Sequence, residues 1–125
     1  MLEQAFKGLE LWRRTNETIV RRKDGESDLS MRQTAVLLDV YLTTPPHTVG
    51  ALAERLNISK PAVSRAVDRL SVLGLLERRT DANDRRVIHL EPTKKGAVYV
   101  RDLGDIIEEC LKENAMPPIY DNKGE

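Results

Sequence analysis

Bond-making chemistry needs reactive groups brought together, and this chain offers few of them. Its two histidines, His47 and His89, stand isolated in the sequence, whereas a metal site needs several ligands at workable spacing. Cys110 is the single cysteine and follows Glu108 and Glu109. Acidic neighbours disfavour a thiolate, so Cys110 reads as a small apolar member of a helical stripe rather than a redox sensor. The carboxylates of Asp102, Asp105, Glu108 and Glu109 read as a solvated face rather than an acid/base pair. No nucleophilic triad and no glycine-rich phosphate loop is suggested, so no enzyme, metal or cofactor is expected. What the chain does concentrate is cations and short hydroxyls. Ser59, Lys60, Pro61, Ser64, Arg65 and Arg69 lie in SKPAVSRAVDRL, residues 59–70, and Arg78, Arg79, Arg85 and Arg86 follow closely. Such groups hold phosphates by charge and read base edges by hydrogen bonds.

The first cluster needs a helix to present it. Val63, Ala66, Val67 and Leu70 recur at helical spacing and form a stripe to be buried, which turns Lys60, Ser64, Arg65, Asp68 and Arg69 elsewhere. Ser59 is a natural N-cap and Pro61 suits the first turn, where a missing N–H is harmless. An ordinary amphipathic helix with a solvated face is the commoner meaning of this pattern in general. Its neighbours overturn that. Thr48 can cap a short helix through Leu56, with Leu52, Ala53 and Leu56 inward and Asn57 suited to a left-handed turn. Short helix, tight turn and second helix make a helix-turn-helix. Gly74, within Leu73-Gly74-Leu75, ends the second helix. Residues 75–79 and 86–90 read as strands joined by a turn-rich TDANDR, and the hairpin forms a basic wing over residues 78–90. Arginine on a narrow hairpin can enter a minor groove, where the potential is most negative.

The remaining segments read as supports. Residues 2–22 form a helix whose apolar stripe is Leu2, Ala5, Phe6, Leu9, Trp12, Ile19 and Val20. Residues 21–28 are a polar loop. A helix over Ser30–Leu42 opens on a capping box, Ser30 with Gln33, buries Val36, Leu37, Val40 and Tyr41, and stops at Pro45-Pro46. Thr93 caps a last helix to about Asn114, with Tyr99, Leu103, Ile106, Ile107, Cys110 and Leu111 as its stripe. Pro117-Pro118 and a polar tail follow. The domain reading is therefore 1–28, 29–96, 97–115 and 116–125. Its class is mainly α with a small β-hairpin: a winged helix-turn-helix between N- and C-terminal helices.

Composition agrees. An apolar content of 40% with 32% charged residues suits a soluble globular chain of 125 residues. No apolar run approaches membrane-spanning length and no export leader is seen, so a cytoplasmic setting is expected. Net charge is zero, which by itself argues against nucleic acid. Its distribution does not: residues 60–101 hold 10 Lys/Arg against 5 Asp/Glu, while residues 102–125 hold 2 against 7. A local patch sets the field that an approaching phosphate meets.

The run VGALAERLNISKPAVSRAVDRLSVLGLLERRTDANDRRVIHLEPTKKG, residues 49–96, resembles the multiple-antibiotic-resistance regulator (MarR) family of bacterial winged-helix transcription factors. Leu52-Ala53, Ser59, Arg65, Asp68-Arg69-Leu70, Leu73-Gly74-Leu75, Arg78, Asp84-Arg85-Arg86 and the closing Thr93 to Gly96 carry the likeness. The resemblance implies a homodimer on double-stranded DNA, joined by the N- and C-terminal helices through Phe6, Leu9, Trp12, Leu103, Ile106, Ile107 and Leu111, with helix 59–72 of each chain in a major groove and each wing in a flanking minor groove. It implies that Ser59, Lys60, Pro61, Ser64 and Arg65 face bases or nearby phosphates and that Arg69 lies near the backbone. Arg78 and Arg85 join the basic face, and Arg86 enters the minor groove, its guanidinium oriented by Asp84. It also implies a small aromatic effector, for which Trp12, Met31 and Tyr41 are candidate lining residues. Two departures stand out. Pro92 replaces the usual apolar residue before the threonine, and the chain is short after Leu111 for a second long C-terminal helix. A protein-interaction module with a basic face and a non-specific architectural DNA binder are the rival functions.

Overall fold

In a computed structural model, which describes residues 2–22 and 28–112, every described helix but the first starts at a side-chain cap. After α1 (Glu3–Arg21), α2 (Met31–Leu42) opens on the expected capping box: Ser30 Oγ accepts from the Gln33 N–H at 3.1 Å, and Gln33 Oε1 accepts from the Ser30 N–H at 2.9 Å. Thr48 caps α3 (Val49–Leu56) through the Ala51 N–H, and Ser59 caps α4 (Lys60–Val72) through the Ala62 N–H. β1 (Leu76–Thr80) and β2 (Ile88–Pro92) then pair antiparallel, and α5 (Lys94–Lys112) follows, capped by Thr93, whose hydroxyl accepts from the Gly96 N–H. The polar loop's centre at 23–27, the last helix beyond Lys112 and the tail 116–125 lie outside the described residues.

Helix ends are as specific as helix starts. Asn57 is left-handed at φ 54° and Gly74 at φ 75°. After α3, the Ile58 N–H bonds to Ala53 O and the Asn57 N–H to Glu54 O; after α4, Leu75 bonds to Leu70 O and Gly74 to Ser71 O. Both are Schellman closures, which satisfy carbonyls that a helix end would otherwise orphan. The second closure moves the first strand: Leu75 is used up in it, so β1 starts at Leu76 rather than at residue 75. The second strand moves too. Val87 N–H bonds to Asp84 O, which keeps Arg86 and Val87 in the turn, and pairing runs from Ile88 to Pro92. Pro92 is the last paired residue, opposite Leu76, and leads straight into the Thr93 cap.

The described residues form two compact units. One is Leu29–Arg101, with a single core of Val36, Leu37, Val40, Leu52, Ala53, Val63, Ala66, Val67, Leu70, Leu75, Leu76 and Leu90. Each inward residue expected of α2, α3 and α4 is buried here apart from Tyr41 and Leu56, which pack against the cluster half-buried. Gly96 marks the tightest point. A Cβ built there would stand 1.8 Å from Tyr41 Oη and 2.1 Å from Leu75 O. That space is filled by the Tyr41 hydroxyl, which donates to Leu75 O at 2.5 Å and accepts from the Thr93 N–H at 3.0 Å. Thr93 Oγ1 donates in turn to Gly74 O at 2.7 Å. One phenol therefore locks the end of α4 to the start of α5, and so fixes where the hairpin leaves the core.

The other unit contains α1 and the part of α5 from Asp102 on. Phe6, Thr15, Ile106 and Cys110 are its buried residues. Leu2 just before α1, Leu9, Trp12 and Val20 on it, and Ile107 and Leu111 on α5, are exposed. Salt bridges between neighbouring turns line α1, among them Glu3–Lys7 and Glu17–Arg21. Exposed pairs of this kind contribute only tenths of a kcal/mol each.

Candidate nucleic-acid interface

Every residue expected at the DNA face belongs to the Leu29–Arg101 unit. Ser59, Lys60, Pro61, Arg65 and Arg69 are exposed on α4, and Ser64 is half-buried beside the core residue Val63. The four inward residues of the stripe are all below 5% exposed, which holds the helix in one rotational setting. Gly50, in the first turn of α3, lies beside Lys60: an added Cβ would make ordinary contact with Lys60 Cε at 3.7 Å. The start of α4 thus brings a cation, Lys60, together with the short hydroxyls of Ser59 and Ser64, a combination that attracts phosphate.

The wing is organised by carboxylates. Asp84 accepts from Arg86 three times: from the backbone N–H at 3.0 Å, from Nε at 3.1 Å and from Nη2 at 3.2 Å. This is the bidentate pair that the family resemblance implies. The Arg86 side chain remains 91% exposed, so it is aimed without being covered. The guanidinium and the backbone N–H of Arg86 hold the Asp84 carboxyl below its usual range. Arg85 is exposed beside it.

Three features were not read from the sequence. Asp81 Oδ2 accepts from the N–H groups of Asn83 and Asp84, both at 2.9 Å, and Oδ1 lies 2.9 Å from His89 Nε2. The His89 hydrogen bond, then the two backbone N–H groups, pull the Asp81 carboxyl down to about 2. Arg78 does not reach freely outward: its guanidinium donates to Asp68 on α4 at 2.5 Å and ties β1 back to that helix. Arg79 is paired across the strands with Glu91. Only the spacing Asp81-x-Asn83, typical of an Asx turn, carried a local signal for any of this.

Other expected residues sit as follows. Phe6 and Ile106 are already buried within this chain, Leu103 is half-buried, and Leu9, Trp12, Ile107 and Leu111 are exposed. Of the residues suggested for an effector crevice, Tyr41 has its hydroxyl committed to Leu75 and Thr93, and Met31 is exposed. His47 is buried, with Nε2 3.1 Å from Thr43 Oγ1. His89 is half-buried on β2. Among the described residues no group of three or more His, Cys, Asp or Glu could hold a metal, and no helix is long and apolar enough to cross a membrane.

A two-helix reader followed by an antiparallel basic hairpin defines a winged helix-turn-helix protein. Comparison with known proteins narrows the class. The MarR family model matches residues 27–87. The fold superposes on transcriptional regulator Tm0710 of Thermotoga maritima with a TM-score of 0.69 at 25% identity, covering 85% of this chain and 70% of that one. A MarR-like transcriptional regulator of the same organism, tm0816, matches with a TM-score of 0.66 at 29% identity over 88% and 77% of the two chains. BldR of Sulfolobus solfataricus shares the fold at 22% identity, with a TM-score of 0.61 over 96% and 78% of the chains. The matched winged-helix stretch belongs to the MarR family of transcriptional regulators, a family that binds DNA.

Proposed function

We propose that this protein is a sequence-specific regulator that binds a pseudo-palindromic operator as a homodimer, with residues 29–96 as the reader. The N-terminal half of α4 enters the major groove and presents Ser59, Lys60, Pro61, Ser64 and Arg65 to bases and adjoining phosphates, with Arg69 toward the backbone. The wing lies along the minor groove, where Arg86 inserts and Arg85 meets phosphate. Arg78 serves the interface indirectly, by holding the hairpin to α4 through Asp68. The observation that carries the reading is the Asp84–Arg86 pair, which holds a 91% exposed guanidinium in one orientation at a hairpin turn. An exposed ion pair adds little stability, so its value is directional.

Dimerisation is assigned to residues 1–28 and 97–115. Leu9 and Val20 recur on one face of α1 with Trp12 beside them and Leu2 at its N-cap, all more than half exposed. Ile107 and Leu111 continue the apolar surface on α5. An unpartnered stripe of this size is the usual mark of an interface. Two-fold symmetry would set the two readers about 34 Å apart, one helical turn of DNA.

A gel shift against the protein's own upstream DNA, with excess random competitor, tests this. Retained binding is expected. Loss to competitor favours an architectural binder, and no binding favours a protein-interaction module. Within the specific complex, Lys60→Ala and Arg65→Ala are expected to weaken binding by about 1–3 kcal/mol each. Lys112→Ala, on a residue paired with Glu108 in the other unit, is expected to change little. Equal losses from all three would misplace the face.

A further inference from the structure

Asp81 stands in a place where a carboxylate is electrostatically unwelcome. It sits at the base of a loop that, on the function proposed above, approaches phosphate, and like charges repel there. Its bonding accounts for its presence. The Asp81 N–H donates to Val87 O at 2.9 Å and closes the loop. Its Oδ2 takes the N–H groups of Asn83 and Asp84, and its Oδ1 takes His89 Nε2 at 2.9 Å. His89 is anchored in turn: it lies on β2 opposite Arg79, and it bridges to Thr48 at the start of α3. A continuous relay therefore runs from the body of the domain to the hairpin turn. His89 holds Asp81, Asp81 holds the backbone of Asp84, and Asp84 holds both the backbone and the guanidinium of Arg86.

We infer that Asp81 and His89 are positioning residues for DNA recognition, which act through Arg86 rather than by touching DNA. The anionic side chain of Asp81 is spent on three donors, and the half-buried ring of His89 faces inward to it. Neither is a candidate contact. What they set is the position of Asp84, and a guanidinium held by two oxygens of one carboxylate has its direction fixed by that carboxylate. The inference rests on the wing assignment and adds to it a reason why the wing holds one pose before DNA arrives. Preorganisation of that kind adds affinity because ordering is not charged to the binding step.

A double-mutant cycle tests it, with the duplex that the unmodified protein selects from a randomised pool as the probe. Arg86→Ala alone is expected to weaken binding about tenfold, and Asp81→Ala alone by a comparable factor. In the Arg86→Ala background, Asp81→Ala is expected to cost no more than about a further twofold, since the group it positions is gone. His89→Ala should lose part of the affinity, and His89→Gln, whose amide N–H can still donate to Asp81, should recover it. Thermal unfolding of each variant runs alongside. Multiplied losses in Asp81→Ala/Arg86→Ala would show that Asp81 acts through general folding or its own contact and would overturn the inference. Asp81→Ala that binds like the unmodified protein, beside a weakened Arg86→Ala, would overturn the inference alone. Arg86→Ala that binds normally would remove the wing reading and the inference with it.

Discussion

Replacing Gly96 by alanine asks for a single methyl where the domain has no room. The new Cβ would lie 1.8 Å from Tyr41 Oη, 2.8 Å from Tyr41 Cζ and 2.1 Å from Leu75 O. The last of these is backbone, held by a turn whose own N–H is bonded to Leu70 O, so it cannot swing aside as a flexible side chain can. The phenol must leave, and its two good hydrogen bonds, to Leu75 O and from the Thr93 N–H, leave with it. Two lost bonds at about 0.5–1.5 kcal/mol each, with about 1–3 kcal/mol for overpacking, place the penalty near 2–6 kcal/mol. That is a large part of the 5–15 kcal/mol typical of a domain. Urea unfolding measures it. Tyr41→Phe supplies the control, because removing the hydroxyl relieves the 1.8 Å clash and leaves the 2.1 Å contact with Leu75 O. The double variant Tyr41→Phe/Gly96→Ala should therefore recover only part of the loss. A Gly96→Ala protein within about 0.5 kcal/mol of the unmodified chain, the range of inert surface changes, would refute the packing described for this junction.

Other expectations follow from particular contacts. The Asp81 carboxyl should titrate near 2 rather than at its ordinary 3.8. A depressed folded pKa makes the contribution of Asp81 complete above about pH 4 and lost as pH falls toward 2, so Asn83 and Asp84 amide protection should decline in that window. An NMR titration with its midpoint at 3.8 would deny the Asp81 hydrogen bonds. Trp12→Glu should shift a sedimentation profile from dimer to monomer mass, and an unchanged dimer would move the interface off α1. Arg78→Ala should cost no more than about 1 kcal/mol of stability, because its partner Asp68 is largely solvated. A loss above about 3 kcal/mol in thermal unfolding would mean that the pair is effectively buried.

Most of the reader was legible in the sequence because its signals are local. A cap acts over three residues, a stripe over two turns, and a left-handed closure at a single position, so Ser30, Thr48, Ser59, Asn57 and Gly74 announced themselves by type and spacing. The Asp84–Arg86 pair spans two residues, and the family resemblance carried its meaning. Contacts that cross the chain announced nothing. Tyr41 looked like one more inward residue of a helix, and its hydroxyl reaches partners 34 and 52 residues away. His89 stands isolated in the sequence, and only the folded hairpin brings it against Asp81. Arg78 and Arg79 looked alike, yet adjacent residues of a strand point to opposite faces, so one meets Asp68 on α4 and the other Glu91 on β2. The strand limits shifted for a similar reason, since the Schellman closure took Leu75 and the turn kept Arg86 and Val87.

That sorting also resolves the tension between a chain of zero net charge and a partner made of phosphate. Of the five carboxylates in residues 60–101, Asp68, Asp81, Asp84 and Glu91 each engage a basic side chain of the hairpin: Arg78, His89, Arg86 and Arg79. The acids are therefore not a diluting background. Each fixes a direction: Asp68 ties the hairpin to α4, Glu91 joins its two strands, Asp81 ties its loop to β2, and Asp84 aims Arg86. Lys60, Arg65 and Arg85 have no ion pair among the described residues and stay available to a phosphate. A protein that bound duplexes by charge alone would gain by losing these acids. Here their removal should raise the net positive charge and yet weaken specific binding, because the arginines they orient would lose their aim. Substituting Asp84 by alanine thus sets the two forces against each other, and the salt dependence separates them: non-specific affinity should hold or rise with the added positive charge, while affinity for the selected duplex falls.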